Sequence, residues 1–316
     1  MNRILAFLVL CVLFANGNVH AFTFPDAKVT ARVVDETGNA LAGIEISIGF
    51  EGSHGNGNKI NGVTDAGGSF TASHGTAGKV SFGVRKEGYY DTYSQYDFIK
   101  TDKGDWQPWN PEVRLVLRRI LKPVPMYARS TKMSRLEIPV EGKEVGFDLM
   151  EYEWLPPYGT GKHADFIFKL DRKFANSDDF DSTLTITFLN KYDGIQLIKE
   201  NHKYGSVFKM PRYAPVGEYQ SNLIKTNKKI PGAPSVSNSA EDNSYIFRVR
   251  SEEKDGKLVR AIYGKIQGDV IFDPREAKTA LVGFTYYLNP DYTNNLEYDP
   301  TSNLFRNLHS TERVGL

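Results

Sequence analysis

The strongest constraint on this chain is a hydrophobic period of two, repeated in short runs that turn residues interrupt. In "KVTARVVDETGNALAGIEISIGF", residues 28 to 50, Val29, Ala31 and Val33 alternate with polar residues. After a turn at Glu36 to Asn39, Ile44, Ile46, Ile48 and Phe50 alternate with Glu45, Ser47 and Gly49. Successive strand side chains point to opposite faces, so each run buries one face and wets the other. Asp65-Ala66-Gly67-Gly68 is a turn whose glycines permit positive φ, and Ser69 to Ala72 return from it. Val80, Phe82 and Val84 make a further strand, and Val113, Leu115 and Leu117 the last of this half. No helical period runs through any of it. The expected class is all-β, with an N-terminal antiparallel sandwich.

Length and the N-terminal run set the organisation. "MNRILAFLVLCVLFANGNVHAFTF" has a positive start at Arg3, an apolar run from Ile4 to Ala15 and a small-x-small site at Val19-His20-Ala21. That is the pattern of a secretory signal peptide cleaved after Ala21. The run is shorter than the roughly 20 apolar residues a membrane-spanning helix needs, and no later stretch of the 316 residues is apolar enough for one. The single cysteine, Cys11, follows Leu10 rather than the small residue a lipoprotein signal requires. Cleavage would leave no thiol, which excludes disulfides, thiolate metal sites and a Cys nucleophile from the mature chain. From 22 to 125 the chain carries 12 Lys+Arg and 12 Asp+Glu, and from 126 to 316 it carries 26 of each. That balance argues against nucleic acid or an anionic membrane as a partner. The expected location is secreted or periplasmic.

The mature length suits two domains at roughly 150 residues each. Pro123 and Pro125 in "RRILKPVPMYARS" stop the preceding strand and stiffen a spacer, placing the boundary near Pro125: a first domain over 22–125 and a second over 126–316. The second half is also strand-rich, at 165 to 170, 182 to 198, 244 to 272 and 279 to 290, and is expected to form a further sandwich. Asp255-Gly256 between alternating runs is a hairpin signal. A helix has room only in short pieces, near Arg275 to Lys278. Residues 230 to 243, "IPGAPSVSNSAEDN", lack periodicity and read as a surface loop.

Over residues 27 to 120 the run resembles the carboxypeptidase regulatory-like, or transthyretin-like, domain. The carrying motifs are the Gly43 step into the second strand, the Thr64-Asp65-x-x-Gly68 hairpin and the Lys86-x-Gly88-Tyr89 strand exit. The resemblance implies a non-catalytic accessory sandwich in which Asp65 is a turn residue. Intradiol ring-cleaving dioxygenases have a similar run, but their iron site needs a His-x-His that this chain lacks, and the terminal Tyr-Arg-Gly-Ser of transthyretin-like hydroxyisourate hydrolases is replaced by "LHSTERVGL". "YAPVGEYQSNL", "VRAIYGKIQGDVIF" and "TYYLNPDYTNNLEYDPTSNLF" resemble an uncharacterised group of secreted bacterial proteins, which implies no activity.

Candidate chemistry is sparse. Ser53-His54-Gly55 and Ser73-His74-Gly75 pair a hydroxyl with an imidazole, but strand neighbours face apart and nothing supplies an orienting third group. Asn176, Asp178, Asp179 and Asp181 offer oxygens without the spacing of an EF-hand loop, and read as a solvated turn. Glu297 and Asp299 are the only carboxylate pair worth weighing for glycoside hydrolysis, with turn capping as the competing role. His163, His202 and His309 are isolated and define no metal site; no cofactor is implied. The one candidate binding surface is "GYYDTYSQYDFIKTDKGDWQPWNP", where Tyr93, Tyr96, Trp106 and Trp109 are the candidate contacts for a glycan or an envelope protein. In the competing reading these rings roof the sandwich or fill the interface with the second half. Between the tryptophans the expectation is a split, with Trp109 packed and Trp106 accessible. The function expected is therefore that of an exported, non-catalytic two-domain β protein with a binding or structural role. The alternative is an exported hydrolase assembled from Glu297, Asp299, His202 or His309.

Overall fold

The computed structural model describes residues 24–276 and 278–316. The N-terminal run, Cys11 and the cleavage point expected after Ala21 lie outside the described residues. Nine strands form the first half: β1 (Asp26–Asp35), β2 (Glu45–Glu51), β3 (Gly57–Val63), β4 (Ser69–Gly75), β5 (Lys79–Arg85), β6 (Thr92–Asp97), β7 (Ile99–Lys100), β8 (Trp106–Gln107) and β9 (Glu112–Leu117). They build a three-stranded sheet in the order β4-β1-β9 facing a sheet that contains β6-β5-β2-β3. The alternating residues read from the sequence are the ones that meet between them: Val29, Ala31 and Val33 on β1, Ile46, Ile48 and Phe50 on β2, and Val80, Phe82 and Val84 on β5 are all buried in one cluster. One pairing departs from a purely antiparallel scheme. β9 runs parallel to β1, with Val33 opposite Leu115, because the chain crosses to the other sheet through β5 and β6 before it returns.

The turns behave as their composition demands. Asp65 Oδ1 accepts the backbone N–H groups of Gly67 and Ser69, each at 2.9 Å. Gly68 sits at φ +76, and a Cβ there would meet Val33 O at 2.7 Å and Leu41 N at 3.0 Å. Only glycine satisfies both the conformation and the space.

The second half contributes β10 (Val124–Ser130), β11 (Leu136–Glu137), β12 (Glu144–Asp148), β13 (Glu153–Trp154), β14 (Phe166–Asn176), β15 (Asp179–Thr187), β16 (Gly194–Lys199), β17 (Gly205–Ser206), β18 (Asn222–Lys229), β19 (Val236–Ser237), β20 (Asn243–Lys254), β21 (Lys257–Ile266), β22 (Ile271–Asp273), β23 (Leu281–Gly283), β24 (Thr285–Asn289) and β25 (Tyr298–Asn303). Two six-stranded sheets, β16-β20-β21-β24-β10-β25 and β13-β12-β14-β15-β18-β19, share a core rich in Phe147, Phe166, Phe168, Phe247 and Phe284. The Asp255-Gly256 turn closes β20 on β21 with φ +53 and +74, the left-handed pair expected of that dipeptide. The chain is an all-β protein of several sheets packed as sandwiches.

Three local expectations are corrected. Arg275 starts no helix: its N–H and Nε close back on Asp273 Oδ1 at 3.2 and 2.7 Å, since a carboxylate two residues upstream offers the backbone a tighter partner than a helical turn. The segment 230 to 243 is not wholly a loop, because Val236 and Ser237 pair with β18. The run 182 to 198 is two strands, since Asp193 binds Asn190 N and Nδ2 and makes a turn within it. Among the described residues one strand pairing crosses between the halves: β17 pairs with β6, Gly205 opposite Tyr93, and so extends the first half's larger sheet to β17-β6-β5-β2-β3.

Candidate functional site

The outer face of this five-stranded sheet forms an open trough of about 970 Å³. Its floor follows from the period-two pattern. Where Ile46, Ile48, Val80, Phe82 and Val84 turn inward, the intervening residues Ser47, Gly49, Ser81 and Gly83 turn outward, and all are small. Register aligns them across the strands. One row runs Gly205, Tyr93, Gly83, Ser47, Asn61. The next runs Gln95, Ser81, Gly49, Lys59. A Cβ at Gly49 would lie 2.7 Å from Ser81 Oγ, so that hydroxyl would have to turn aside for any larger residue. At Gly83 a Cβ would touch the Tyr93 ring at 3.6 Å, so that ring stands over the glycine. Tyr93 is 45% exposed and its hydroxyl donates to Asp91 Oδ2 at 3.2 Å. Tyr204, just before β17, lines the same wall. A floor of hydroxyl and glycine, the Asn61 amide, the carbonyl of Gln95 (whose Nε2 is held by Asp97 at 2.8 and 3.1 Å) and aromatic rings on one side give a surface for an elongated polar ligand.

The four candidate aromatics separate. Tyr93 stands in the trough. Tyr96, two strand positions beyond Ser94, lies against the inner core and packs edge-on to Phe98, with ring centroids 5.0 Å apart. The tryptophan expectation is reversed. Trp106 is 7% exposed, its Nε1 donates to Pro25 O at 3.1 Å and Thr76 O at 3.0 Å, and its ring fills the space above Gly78. Trp109 is 55% exposed. The reason is the pairing of β7 with β8, which folds Trp106 over the end of the sandwich and leaves Trp109 past its last paired residue. The two do not form a shared platform.

The carboxylate weighed for hydrolysis is occupied structurally. Glu297 is fully buried and accepts Leu121 N, Lys122 N and Tyr90 Oη, each at 2.9 Å. Arg212 Nη1 lies 2.6 Å from it, an ion pair off the hydrogen-bond direction. Burial pushes the carboxyl up, but the two N–H donors with Arg212 and Tyr90 outweigh it and hold it below the usual range. Such a group is a fixed anion, not an acid. The Phe208 ring beside it carries Arg118 at 4.3 Å, Arg212 at 5.1 Å and Lys265 at 4.8 Å. Lys265 also lies 4.8 Å from the Tyr287 ring, and burial first, then the nearby Arg118, brings its amine down to about 7. This polar junction joins segments of both halves.

Asp299 caps its own turn, accepting Thr301 N at 2.9 Å and Oγ1 at 2.7 Å, and His309 contacts Thr311 Oγ1 at 3.0 Å in the C-terminal segment. His202 Nε2 is 3.1 Å from Ser244 Oγ, but Ser244 is fully buried and accepts Gly268 N at 2.9 Å, which makes it a backbone tie. The four residues of the hydrolase reading therefore occupy separate places. Ser73 Oγ donates to Ala27 O, not to His74. Asp178 and Asp181 pair with Lys229 and Lys228 across the β15–β18 ladder.

Sequence reasoning missed the floor residues and Tyr204. The signal was present in the wet phase of each strand, where Ser-x-Gly recurs at 47 to 49 and 81 to 83. What brings Tyr204 to the wall is a tertiary pairing with no local trace.

No family model matches the chain, and no curated protein matches it. Solved structures similar to it in part include 3-chlorocatechol 1,2-dioxygenase from Rhodococcus opacus 1CP, 14% identical with a TM-score of 0.26, over 31% of this chain and 61% of that one. A DUF3823 family protein from Parabacteroides merdae is 9% identical with a TM-score of 0.24, over 87% of this chain and 100% of that one. BcpA, the major pilin subunit of Bacillus cereus, is 10% identical with a TM-score of 0.24, over 86% and 99%. The chain thus spans somewhat less than two thirds of the first dioxygenase's length. Likenesses at these TM-scores carry no argument about function. Among the described residues no helix is long and apolar enough to cross a membrane.

Proposed function

We propose that this chain is an exported, non-catalytic two-domain β protein, divided near Pro125, that binds a glycan along the outer trough of its N-terminal sandwich. Export rests on the N-terminal signal pattern, and the regulatory-like reading of residues 27 to 120 rests on the motifs around Gly43, Thr64 and Gly88. The single observation that carries the binding role is the aligned floor of Ser47, Gly49, Ser81 and Gly83 beneath Tyr93. Small hydroxyl-bearing and glycine positions leave room for a sugar chain to lie flat, neighbouring amides supply donors and acceptors, and a half-exposed tyrosine offers an apolar face with a wet edge. A protein strand has less to recognise there, because the trough is on the sheet's face and, apart from the outer edge of β3, its backbone groups are already paired within the ladder.

The test is a panel of oligosaccharides probed with the chain, its Tyr93→Ala variant and a Ser81→Trp variant that fills the floor. Both substitutions are at exposed outward positions, and a matched thermal melt checks the fold. Binding that falls at least tenfold in both variants is expected, since losing an aromatic contact or blocking a pocket removes about 1.4 kcal/mol or more. Glycan binding unchanged in both, or no glycan bound and a protein retained through Tyr93 instead, overturns the proposal.

A further inference from the structure

We infer that the glycan is acidic, with its anionic groups held at the end of the trough where β17 joins β6; this rests on the glycan reading above. Tyr93 and Tyr204 line both the trough and a second cavity of about 270 Å³. The charge around these two spaces is not that of the chain, whose 39 Lys+Arg nearly cancel 38 Asp+Glu. In the trough Lys59, Lys79, Arg85 and Lys203 stand against Glu45 and Glu51. In the second cavity Arg114, Arg118 and Lys209 stand against Glu200 alone. Two of these cations are partly spent, Arg85 on Asp91 at 2.8 Å and Arg118 on Glu36 at 2.9 Å. With both removed from the count, five cations remain against three carboxylates.

The donors in the second cavity are of the kind an anion satisfies. Lys209 Nζ gives two of its protons to carbonyls, Asn201 O at 3.0 Å and Tyr204 O at 2.7 Å, and makes no ion pair closer than these. Arg114 extends from β9 over Gly38, and among the described residues no carboxylate pairs with it. The Tyr204 hydroxyl is closed off from solvent and lies beside the Lys203 ammonium, so it offers a ligand nothing. Two cations, Arg114 from β9 and Lys209 from the segment after β17, thus border one small space. A carboxylate, sulfate or phosphodiester oxygen carried on a sugar fits that set, while the remaining sugars lie along the floor.

The test compares polygalacturonate, a sulfated polysaccharide and a phosphodiester-linked glycan polymer with a neutral glucan of similar length, by calorimetry with the full chain. At least one acidic polymer is expected to bind about tenfold or more tighter than the neutral one, as hydrogen bonds to charged groups contribute roughly 1.5–3 kcal/mol each. The preference should shrink as salt shortens the Debye length from ~10 Å at 0.1 M to ~3 Å at 1 M. Arg114→Glu should abolish the preference and leave neutral binding intact; the residue is exposed, so the variant should melt as the parent does. Neutral and acidic polymers bound equally, with Arg114→Glu silent, overturns the acidic assignment while leaving the glycan reading standing. No polymer bound at all removes both.

Discussion

Replacing Lys265 by Met should stabilise the protein at neutral pH and remove a distinctive slope from its stability profile. Lys265 lies on β21 between the Phe208 and Tyr287 rings, is 3% exposed, and has its amine lowered to about 7 by burial and Arg118, with Glu297 and Glu200 partly opposing. In the unfolded chain the same amine titrates near ~10.4. At pH 8 it is therefore mostly neutral when folded and protonated when unfolded, so unfolding takes up close to one proton and rising pH opposes it. Stability should climb by roughly 1 kcal/mol per pH unit between pH 8 and 10 and level off below about pH 6, where both states are charged. Integrated over the window, the buried ammonium costs on the order of 4–5 kcal/mol below pH 7. Methionine is of similar length, has no charge to desolvate and makes favourable sulfur contacts with aromatic rings. The assay is urea unfolding of both proteins from pH 6 to 9, below the range where tyrosines titrate. The difference between the two curves isolates Lys265: the variant should lead by several kcal/mol at pH 6, and the lead should shrink through pH 7 to 9. A constant difference, or a variant less stable at pH 6, would refute the reasoning.

Gly68→Val should destabilise the first half by at least ~2 kcal/mol, because a β-branched residue at φ +76 is strained and its Cβ overlaps Val33 O; equal melts for variant and parent would sink the turn assignment. Trp106→Ala should cost about 3–5 kcal/mol and Trp109→Ala no more than about 0.5 kcal/mol, a contrast that a denaturant melt resolves. Glu297→Ala should cost roughly 3–5 kcal/mol, since it leaves Leu121 N, Lys122 N and Tyr90 Oη without their acceptor and the buried Arg212 with Glu36 as its remaining carboxylate, and calorimetric loss of a joint transition for the two halves would show the junction coupling them. If that variant melts like the parent, the network around Phe208 is not structural.

The sequence by itself determined the strands and their turns. Val29 to Val33, Ile44 to Phe50 and Val80 to Val84 announce which face is wet, because period two is a property of one extended backbone and needs no partner. Asp65 and Gly68, or Asp255 and Gly256, likewise close turns with groups only a few residues apart. The tertiary structure decided which wet face became a trough, since that depends on the register that sets Tyr93, Gly83, Ser47 and Asn61 in one row. It also decided the exchange of roles between Trp106 and Trp109, which the two intervening residues cannot reveal: the Trp106 indole is held by carbonyls of Pro25 and Thr76, 81 and 30 residues away. Glu297 shows the same limit. A carboxylate in a polar stretch looks free along the chain, yet its partners Tyr90 and Arg212 arrive from distant strands and loops. Local periodicity is written in neighbours, whereas the charge and exposure of a site are set by groups brought together only when the sheets close.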